Sequence, residues 1–192
     1  EEAYANVFTT HYPDEERSAA RPLKTAPCYD RMKALGAVFG TVYGWERPNW
    51  FMPSADYSLS AEELNQEDPA KVLMNKNHAT ALEDGRIVEK NSFRRSNYFE
   101  HVGNECKHVN DKVGLLDMSA FAKCIVKGPG AEEWLEYIFA NKMPKAIGRI
   151  SLVHMLSLNG GVRAEFTVYK TGPQSYYLVS AGAVETHDHD YL

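Results

Sequence analysis

The amino-acid sequence predicts an α+β fold in which antiparallel strands pack with helices. Apolar side chains recur at helical spacing over residues 97–113 and again over residues 131–140. Three strand-like runs separated by glycine turns follow between residues 150 and 180. Helices followed by strands with tight connections are typical of this class, because short turns join antiparallel neighbours.

Composition limits the classes of function. The 192 residues suffice for one domain with an extension, or for about one and a half domains. A net charge of −5 argues against a nucleic-acid partner, because phosphate binding needs a basic face. No apolar run approaches the roughly 20 residues that span a bilayer, so we expect no membrane partner. Cys28, Cys106 and Cys124 are odd in number and widely spaced, which predicts free thiols in a reducing compartment.

The first part of the chain predicts short elements. Residues 28–35 favour a helix ended by Gly36, and residues 37–43 favour an extended segment. The aromatic stretch 44–51, GWERPNWF, allows two interpretations. It is a loop whose tryptophans fill a domain seam, with Glu46 and Arg47 as rim charges, or it is a wall of a ligand pocket. 

The polar stretch from residue 53 to residue 90 predicts loop and short turns, and therefore a linker over residues 54–90. A strong helical pattern begins at Asn97. Asn97 and Glu100 match the outline of a capping box, and Gly114 is expected to end the helix. Cys106 falls on the apolar face, which predicts a small core side chain rather than a nucleophile. 

The last eighty residues predict a meander. Residues 115–118 and 122–126 favour two short strands, and residues 131–140 favour a helix. The predicted buried stripe of that helix is Trp134, Leu135, Ile138 and Phe139.

Two further strands, 150–158 and 162–169, flank Asn159-Gly160-Gly161, a tight turn that needs a positive φ. Residues 176–180 form the third strand, and the chain ends in the predicted start of a helix.

Glu165 is the strongest candidate for a functional residue in this sequence. Alternation along its strand places residues 162, 164, 166 and 168 on one face and Glu165 on the other. Glu165 is therefore either a solvent-facing acid paired with Arg163 or a functional carboxylate. His154 lies between apolar residues, which favours a core histidine. 

The run His187-Asp188-His189-Asp190 contains metal-ligand residue types. One helical turn cannot bring all four to one point. The run is therefore either part of a metal site or an acidic helix start, and we expect no metal.

Several motifs carry a resemblance to a known family. The stretches GAVFG (36–40) and GWERPNWF (44–51) resemble the region that links the two halves of dimethylglycine and sarcosine dehydrogenases. The stretch RRSNYFE (94–100) is similar to the start of their C-terminal half. That half resembles the aminomethyltransferase, or T-protein, of the glycine cleavage system. The match continues through LDMS (116–119), GPG (128–130), ANK (140–142), HML (154–156) and GG (160–161).

The resemblance implies a part of a two-part enzyme. In such an enzyme a flavin domain oxidises an N-methyl amine such as dimethylglycine or sarcosine, and tetrahydrofolate in the second domain captures the one-carbon unit. Residues 1–53 would be the tail of the flavin oxidoreductase half with the inter-domain segment, residues 54–90 a linker, and residues 91–192 the N-terminal part of the aminomethyltransferase domain. An internal fragment of this kind lacks the upstream flavin domain and the downstream remainder of the folate domain. We therefore expect FAD only in the full-length parent and no activity of this chain alone.

The resemblance also implies site residues. T-proteins carry a functional Asp after the Gly-Gly turn, and Glu165 stands at the corresponding position. Glu165 would be catalytic, and Met118, Met155, Glu165 and Tyr177 would bind tetrahydrofolate. The alternatives are a stand-alone folate-binding module and a non-catalytic scaffold. We expect a cytoplasmic protein, or a mitochondrial matrix protein in a eukaryote, and self-association through apolar surface that an incomplete domain exposes.

Overall fold

The chain divides into two compact units, Glu1–Asp117 and Met118–Leu192. The structure, a computed structural model, describes Tyr4, residues 7–65 and residues 79–192. Both units combine helices with antiparallel strands, which confirms the α+β class. The assignment of residues 1–53, 54–90 and 91–192 to parts of a longer enzyme stays a prediction.

The first unit is built on two hairpins. The strands β1 (Ala37–Val42) and β2 (Trp45–Phe51) pair through a turn at Tyr43 and Gly44, whose φ angles are 53° and 83°. The aromatic stretch interpreted as a loop is therefore mostly strand. Pro48 is tolerated because β1 is the one partner of β2 in this sheet and the register shifts beside Phe39, its partner. The described elements are α1 (Tyr29–Ala34), β1 (Ala37–Val42), β2 (Trp45–Phe51), α2 (Ala61–Asn65), β3 (Ala79–Ala81), β4 (Ile87–Lys90) and α3 (Phe99–Asp111).

Trp50 lies at the centre of the first unit's core. It is buried with Val38, and its ring stacks on those of Tyr98 and His101 at centroid distances of 5.7 and 5.5 Å. Large aromatic surfaces buried in this way stabilise a small core strongly. Trp50 is thus a core residue rather than the wall of an open pocket.

Glu46 is buried, not a rim charge as one interpretation had it. Its carboxylate accepts hydrogen bonds from Arg21 Nε at 2.9 Å and Nη2 at 2.6 Å, and Nη2 also donates to the carbonyl oxygen of Phe39. The hydrogen bonds that Arg21 donates to Glu46 raise the pKa of Arg21 above its ordinary value. A bidentate pair compensates the cost of burying a carboxylate. Arg47, the next residue, is exposed.

The stretch predicted as loop and turns contains regular structure. Residues 61–65 form α2, and β3 pairs with β4 in a hairpin. Val88 is fully buried, and Glu89 beside it accepts a hydrogen bond from Thr80 Oγ1 at 2.8 Å. Burial raises the pKa of Glu89. Polar composition concealed this hairpin because only Val88 and its few neighbours reach the core. The part of the predicted linker from 66 to 78 lies outside the described residues.

The predicted helix after Asn97 is present, but two of its details were wrong. Asn97 does not cap it: its side-chain nitrogen donates to the Val88 carbonyl at 3.0 Å and to the Tyr57 hydroxyl at 3.3 Å. Cys106 is exposed, because α3 contacts the core through its first turn, at Val102, and buries no whole residue. The helix ends at Asp111, ahead of Gly114.

The second unit is a four-stranded antiparallel sheet with two helices packed against it. Its strands are β5 (Phe121–Lys127), β6 (Ile150–Leu156), β7 (Val162–Gly172) and β8 (Ser175–Ala181), and their order in the sheet is β5-β8-β7-β6. No strand forms at residues 115–118, where Leu115 and Leu116 are exposed and pair with none of the strands that the structure describes. Gly160 has the positive φ that the predicted turn needs. The elements are β5 (Phe121–Lys127), α4 (Ala131–Ile138), β6 (Ile150–Leu156), β7 (Val162–Gly172), β8 (Ser175–Ala181), a 3-10 turn (Gly182–Val184) and α5 (Glu185–Tyr191).

The core of the second unit lies between α4 and the inner face of the sheet. Leu135 and Phe139 are buried, and Trp134 and Ile138 pack beside them, so the predicted stripe is confirmed. The sheet contributes alternate residues because side chains along a strand point to opposite faces. Its inward set is Val153 and Met155 of β6, Ala164, Phe166 and Val168 of β7, and Tyr176 and Leu178 of β8.

A polar network fastens α4 to the sheet. Glu132 accepts hydrogen bonds from Lys145 at 2.6 Å, from Lys170 of β7 at 2.7 Å, and from the hydroxyl of the buried Tyr176 of β8. These donors, Lys145 foremost, lower the pKa of Glu132 from 4.5 to about 2. Lys170 is itself buried, so its charge depends on this carboxylate.

Among the described residues, no helix has the length and apolar character needed to cross a membrane.

The first prediction concerns Leu135, which is wholly buried at the centre of the second unit. Leu135→Ala should lower the free energy of unfolding by about 2–5 kcal/mol, because it removes apolar contacts and leaves a cavity. Urea unfolding followed by circular dichroism measures the change. Tyr137→Ala on the exposed side of the same helix should cost less than about 1 kcal/mol. Equal costs would contradict this packing.

The second prediction concerns the pH dependence of Glu132. A carboxyl group whose pKa is lower in the folded state stabilises the fold above its unfolded pKa. That contribution is lost as the pH falls from about 4.5 towards about 2. Glu132→Gln should therefore lower Tm at neutral pH by about 2–5 °C and make Tm fall less steeply in acid.

Thermal melts between about pH 2 and 7 measure this effect. Glu133→Gln changes the exposed neighbour on α4 and should leave the wild-type slope intact. Identical acid slopes for Glu132→Gln and wild type would show that the network does not stabilise the fold.

Candidate functional site

The outer face of the four-stranded sheet holds the candidate site. We use outer face for the side chains that point away from α4. On β7 these include Glu165, which is exposed between the buried Ala164 and Phe166. On β8 Tyr177 lies between the buried Tyr176 and Leu178 and is itself half-buried. Other outward residues are Ile125 of β5, Leu152 and His154 of β6, Thr167 and Tyr169 of β7, and Val179 of β8.

Glu165 forms its polar contact with His154. The two residues are direct partners in the β6–β7 register, and His154 Nε2 lies 3.1 Å from Glu165 Oε2. His154 is therefore not the core histidine that its apolar neighbours suggested. The expected pairing of Glu165 with Arg163 is replaced by this contact, and the Arg163 guanidinium lies 4.7 Å from the ring centre of Tyr191.

The pair remains open to solvent. The side chain of Glu165 is 58% exposed and that of His154 is 33% exposed. An accessible carboxylate can accept a hydrogen bond from an amine or stabilise positive charge on one. The contact with His154 engages Oε2 of the carboxylate, and Oε1 forms no hydrogen bond to the residues that the structure describes.

Aromatic and apolar side chains extend the candidate site along the outer face of the sheet. Tyr169 and Tyr177 are direct partners across β7 and β8. Tyr169 lies four positions beyond Glu165 along β7, a span of about 13 Å. Leu152, opposite Thr167, is a half-exposed apolar side chain between these two ends. The outer face thus combines a carboxylate at one end with tyrosine rings at the other, an arrangement suited to a flat, amine-bearing ligand.

The structure separates the four residues expected to bind folate. Glu165 and Tyr177 share the outer face. Met155 is wholly buried on the inner face, in the core below α4. Met118 precedes β5 and is 57% exposed, outside the sheet. Glu165 and Tyr177 therefore define the candidate site.

Sequence reasoning missed two members of the outer face. Because Val153 and Met155 point into the core, His154 between them points to the outer face. The turn at Gly160 sets the register that pairs His154 with Glu165. Tyr169 follows from the same alternation on β7. Both signals are local, but they become visible only when the two strands are considered as one hairpin.

The run His187-Asp188-His189-Asp190 lies in α5, and Asp188 attaches that helix to the sheet. Asp188 is buried and accepts a 2.6 Å hydrogen bond from Ser180 Oγ of β8, and His187 Nδ1 lies 3.2 Å from its other oxygen. No group of three or more potential metal ligands comes together in the parts of the chain that the structure describes. A cavity of about 280 Å³ lies beside Asp188, and its lining includes the apolar side chains of Phe166, Leu178 and Leu192.

Comparisons with known proteins give matches over most of the chain. Residues 28–192 match the family described as GCVT N-terminal domain. The mitochondrial dimethylglycine dehydrogenase of Mus musculus is 34% identical over 189 residues, which are 97% of this chain and 18% of that protein. The mitochondrial sarcosine dehydrogenase of Homo sapiens is 24% identical and covers 100% of this chain, which spans 22% of it.

A solved structure supports the same architecture. The glycine cleavage system aminomethyltransferase T from Bartonella henselae superimposes with a TM-score of 0.51 at 19% identity. The superposition covers 88% of this chain and 34% of that one. The likeness shows the fold alone. This chain thus corresponds to about a fifth of its dehydrogenase relatives.

The third prediction concerns the His154–Glu165 pair. Because both side chains are partly exposed, their coupling should contribute less than about 1 kcal/mol to stability. A double-mutant cycle with His154→Gln and Glu165→Gln, followed by urea unfolding, measures it. A coupling above about 2 kcal/mol would identify the pair as a structural contact rather than an accessible site.

Proposed function

Because the chain belongs to the GCVT N-terminal domain family, we propose that it forms one wall of a binding site for tetrahydrofolate. The observation that supports this proposal is the outer face, where Glu165 and two tyrosines project from a rigid sheet. The side chains of the outer face suit a reduced folate, because a reduced folate carries a flat ring system and amine nitrogens. Bound tetrahydrofolate supplies the nitrogens that accept a one-carbon unit.

Glu165 is the catalytic residue in this proposal. Its free oxygen accepts a hydrogen bond from a ligand amine, and its negative charge stabilises positive charge that develops there. When that nitrogen loses a proton, the carboxylate is placed to take it. Glu is one methylene longer than the Asp of the T-proteins, and the contact with His154 limits the additional freedom.

Tyr177 and Tyr169 bind and orient the ligand. Aromatic rings offer a large, rigid contact area with little loss of side-chain entropy. Their hydroxyl groups add hydrogen-bond capacity at the edge of the face. A ligand stacked there would reach Glu165 across the roughly 13 Å of strand between them.

The proposed parent is an FAD- and tetrahydrofolate-dependent dehydrogenase of N-methyl amines such as dimethylglycine or sarcosine. The similarity of this chain to named dehydrogenases of these two compounds supports that parent, together with the GWERP motif of β2. FAD would be held by the upstream half of the parent and not by these residues. The relatives are named as mitochondrial proteins, and we propose the mitochondrial matrix or the cytoplasm as the location.

The fourth prediction tests the site with folinic acid, a stable reduced folate. Isothermal titration of the 192-residue chain should give saturable binding, which Glu165→Gln weakens about tenfold by removing the charge that an amine contacts. Tyr177→Ala should weaken it by a similar factor because a stacking ring is lost. The stability of Glu165→Gln should stay within about 1 kcal/mol of wild type.

Glu133→Gln is the matched control, because it makes the same charge change on α4, which packs on the opposite face. It should bind like wild type. Saturable binding that is unchanged by Glu165→Gln would remove Glu165 from the site. Absence of binding would favour a scaffold over a folate-binding module for this chain.

A further inference from the structure

A second polar cavity lies wholly within the first unit, at the start of α3. Its volume is about 210 Å³, and its lining includes three cationic side chains, Lys90, Arg94 and Arg95. Ser92 and Ser96 also line it. The space is smaller than the roughly 300 Å³ of a drug-sized ligand site, so it suits a single charged group rather than a whole cofactor.

Arg94 and Arg95 leave their hydrogen-bond donors available. Both are exposed, and neither guanidinium forms an ion pair or a side-chain hydrogen bond with the residues that the structure describes. The Arg95 guanidinium lies 4.3 Å from the ring centre of Phe99, which restricts its position. A guanidinium offers five donors in a fixed fork that matches the oxygens of a carboxylate or phosphate.

Lys90 differs from the two arginines. Its Nζ donates to the carbonyl oxygens of Glu63 and Leu64, at 2.9 and 2.7 Å, and so it closes the end of α2. Its charge still contributes to the cavity, although its donors are engaged. The two arginines therefore supply the directed contacts to a ligand.

The backbone adds positive potential to the same cavity. Tyr98 and Phe99, at the first turn of α3, line it, and Tyr98 makes no side-chain capping bond to that turn. The helix is 13 residues long, and its dipole favours an anion at this end. Asp14 is the one carboxylate in the lining, so cationic groups outnumber it three to one.

We infer that this cavity, the oxyanion pocket, binds a phosphate or carboxylate group through Arg94 and Arg95. Two forked guanidinium groups and the start of a helix surround the space, and one wall opens to solvent. The group comes either from a phosphorylated small molecule or from a polycarboxylate. The pocket is lined by residues of the first unit, whereas the outer face belongs to the second unit.

The fifth prediction follows from this inference. Inorganic phosphate and succinate, titrated separately at equal ionic strength into the 192-residue chain, represent the two sources. At least one should bind saturably, with Kd on the order of 1 mM for a few exposed charge-assisted contacts. In ¹⁵N NMR spectra the amide signals of residues 92–101 should shift, whereas those of the second unit should not.

The double variant Arg94→Gln/Arg95→Gln should raise Kd at least about tenfold. Arg31→Gln/Arg47→Gln is the matched control, because it removes the same charge from two exposed arginines elsewhere in the unit. It should change Kd less than about twofold. Circular dichroism verifies that all variants are folded.

The relative affinities of the two anions identify the source. Phosphate at least tenfold tighter than succinate supports a phosphorylated ligand, and the reverse supports a polycarboxylate. The inference is overturned if neither anion binds saturably. It is equally overturned if both double variants bind alike, since binding would then reflect net charge rather than the pocket.

Discussion

The two-residue alternation of β7 is the constraint on which the candidate site depends. Ala164, Phe166 and Val168 must enter the core beneath α4, and this requirement forces Glu165 to the outer face. A slip of one residue would bury a carboxylate and expose the core set, so the register is strongly specified. The partner strand then brings His154 opposite Glu165 without any further device. Core packing on the inner face of the sheet thus fixes the positions of Glu165 and His154 on the outer face.

Much of the second unit could be predicted because its signals are local. Leu135 and Phe139 recur at helical spacing, and Gly160 marks the hairpin turn, so helix and strands follow from short windows of sequence. The strand expected at 115–118 failed for a physical reason. Leu115 and Leu116 are apolar residues typical of strands, but strand structure requires a partner, and none of the described strands pairs with them. Strand propensity alone could not distinguish residues 115–118 from the segments that do form strands.

The first unit was harder to predict because its stabilising contacts join distant residues. Arg21 lies 25 residues from Glu46, and no sequence window shows that this pair buries a charge within the hairpin. Asn97 is of a residue type that often caps helices, yet its side-chain amide donates to the carbonyl of Val88 and the hydroxyl of Tyr57 instead. Side chains of this kind choose between local and distant partners, and tertiary structure decides. The outward placement of Glu165 was predicted from the alternation along its strand, whereas its contact with His154 depends on the pairing register of the two strands.

Net charge was a poor guide to where each unit can bind a ligand. The chain carries −5 overall, but the oxyanion pocket concentrates Arg94 and Arg95 at a helix start, where the local potential is positive. The outer face offers the opposite chemistry, with Glu165 exposed and accessible to an amine. Recognition depends on groups within a few ångströms, since exposed charges more than about 10 Å apart are largely screened. A chain with a mildly acidic average can therefore present two exposed arginines in one unit and an exposed carboxylate in the other.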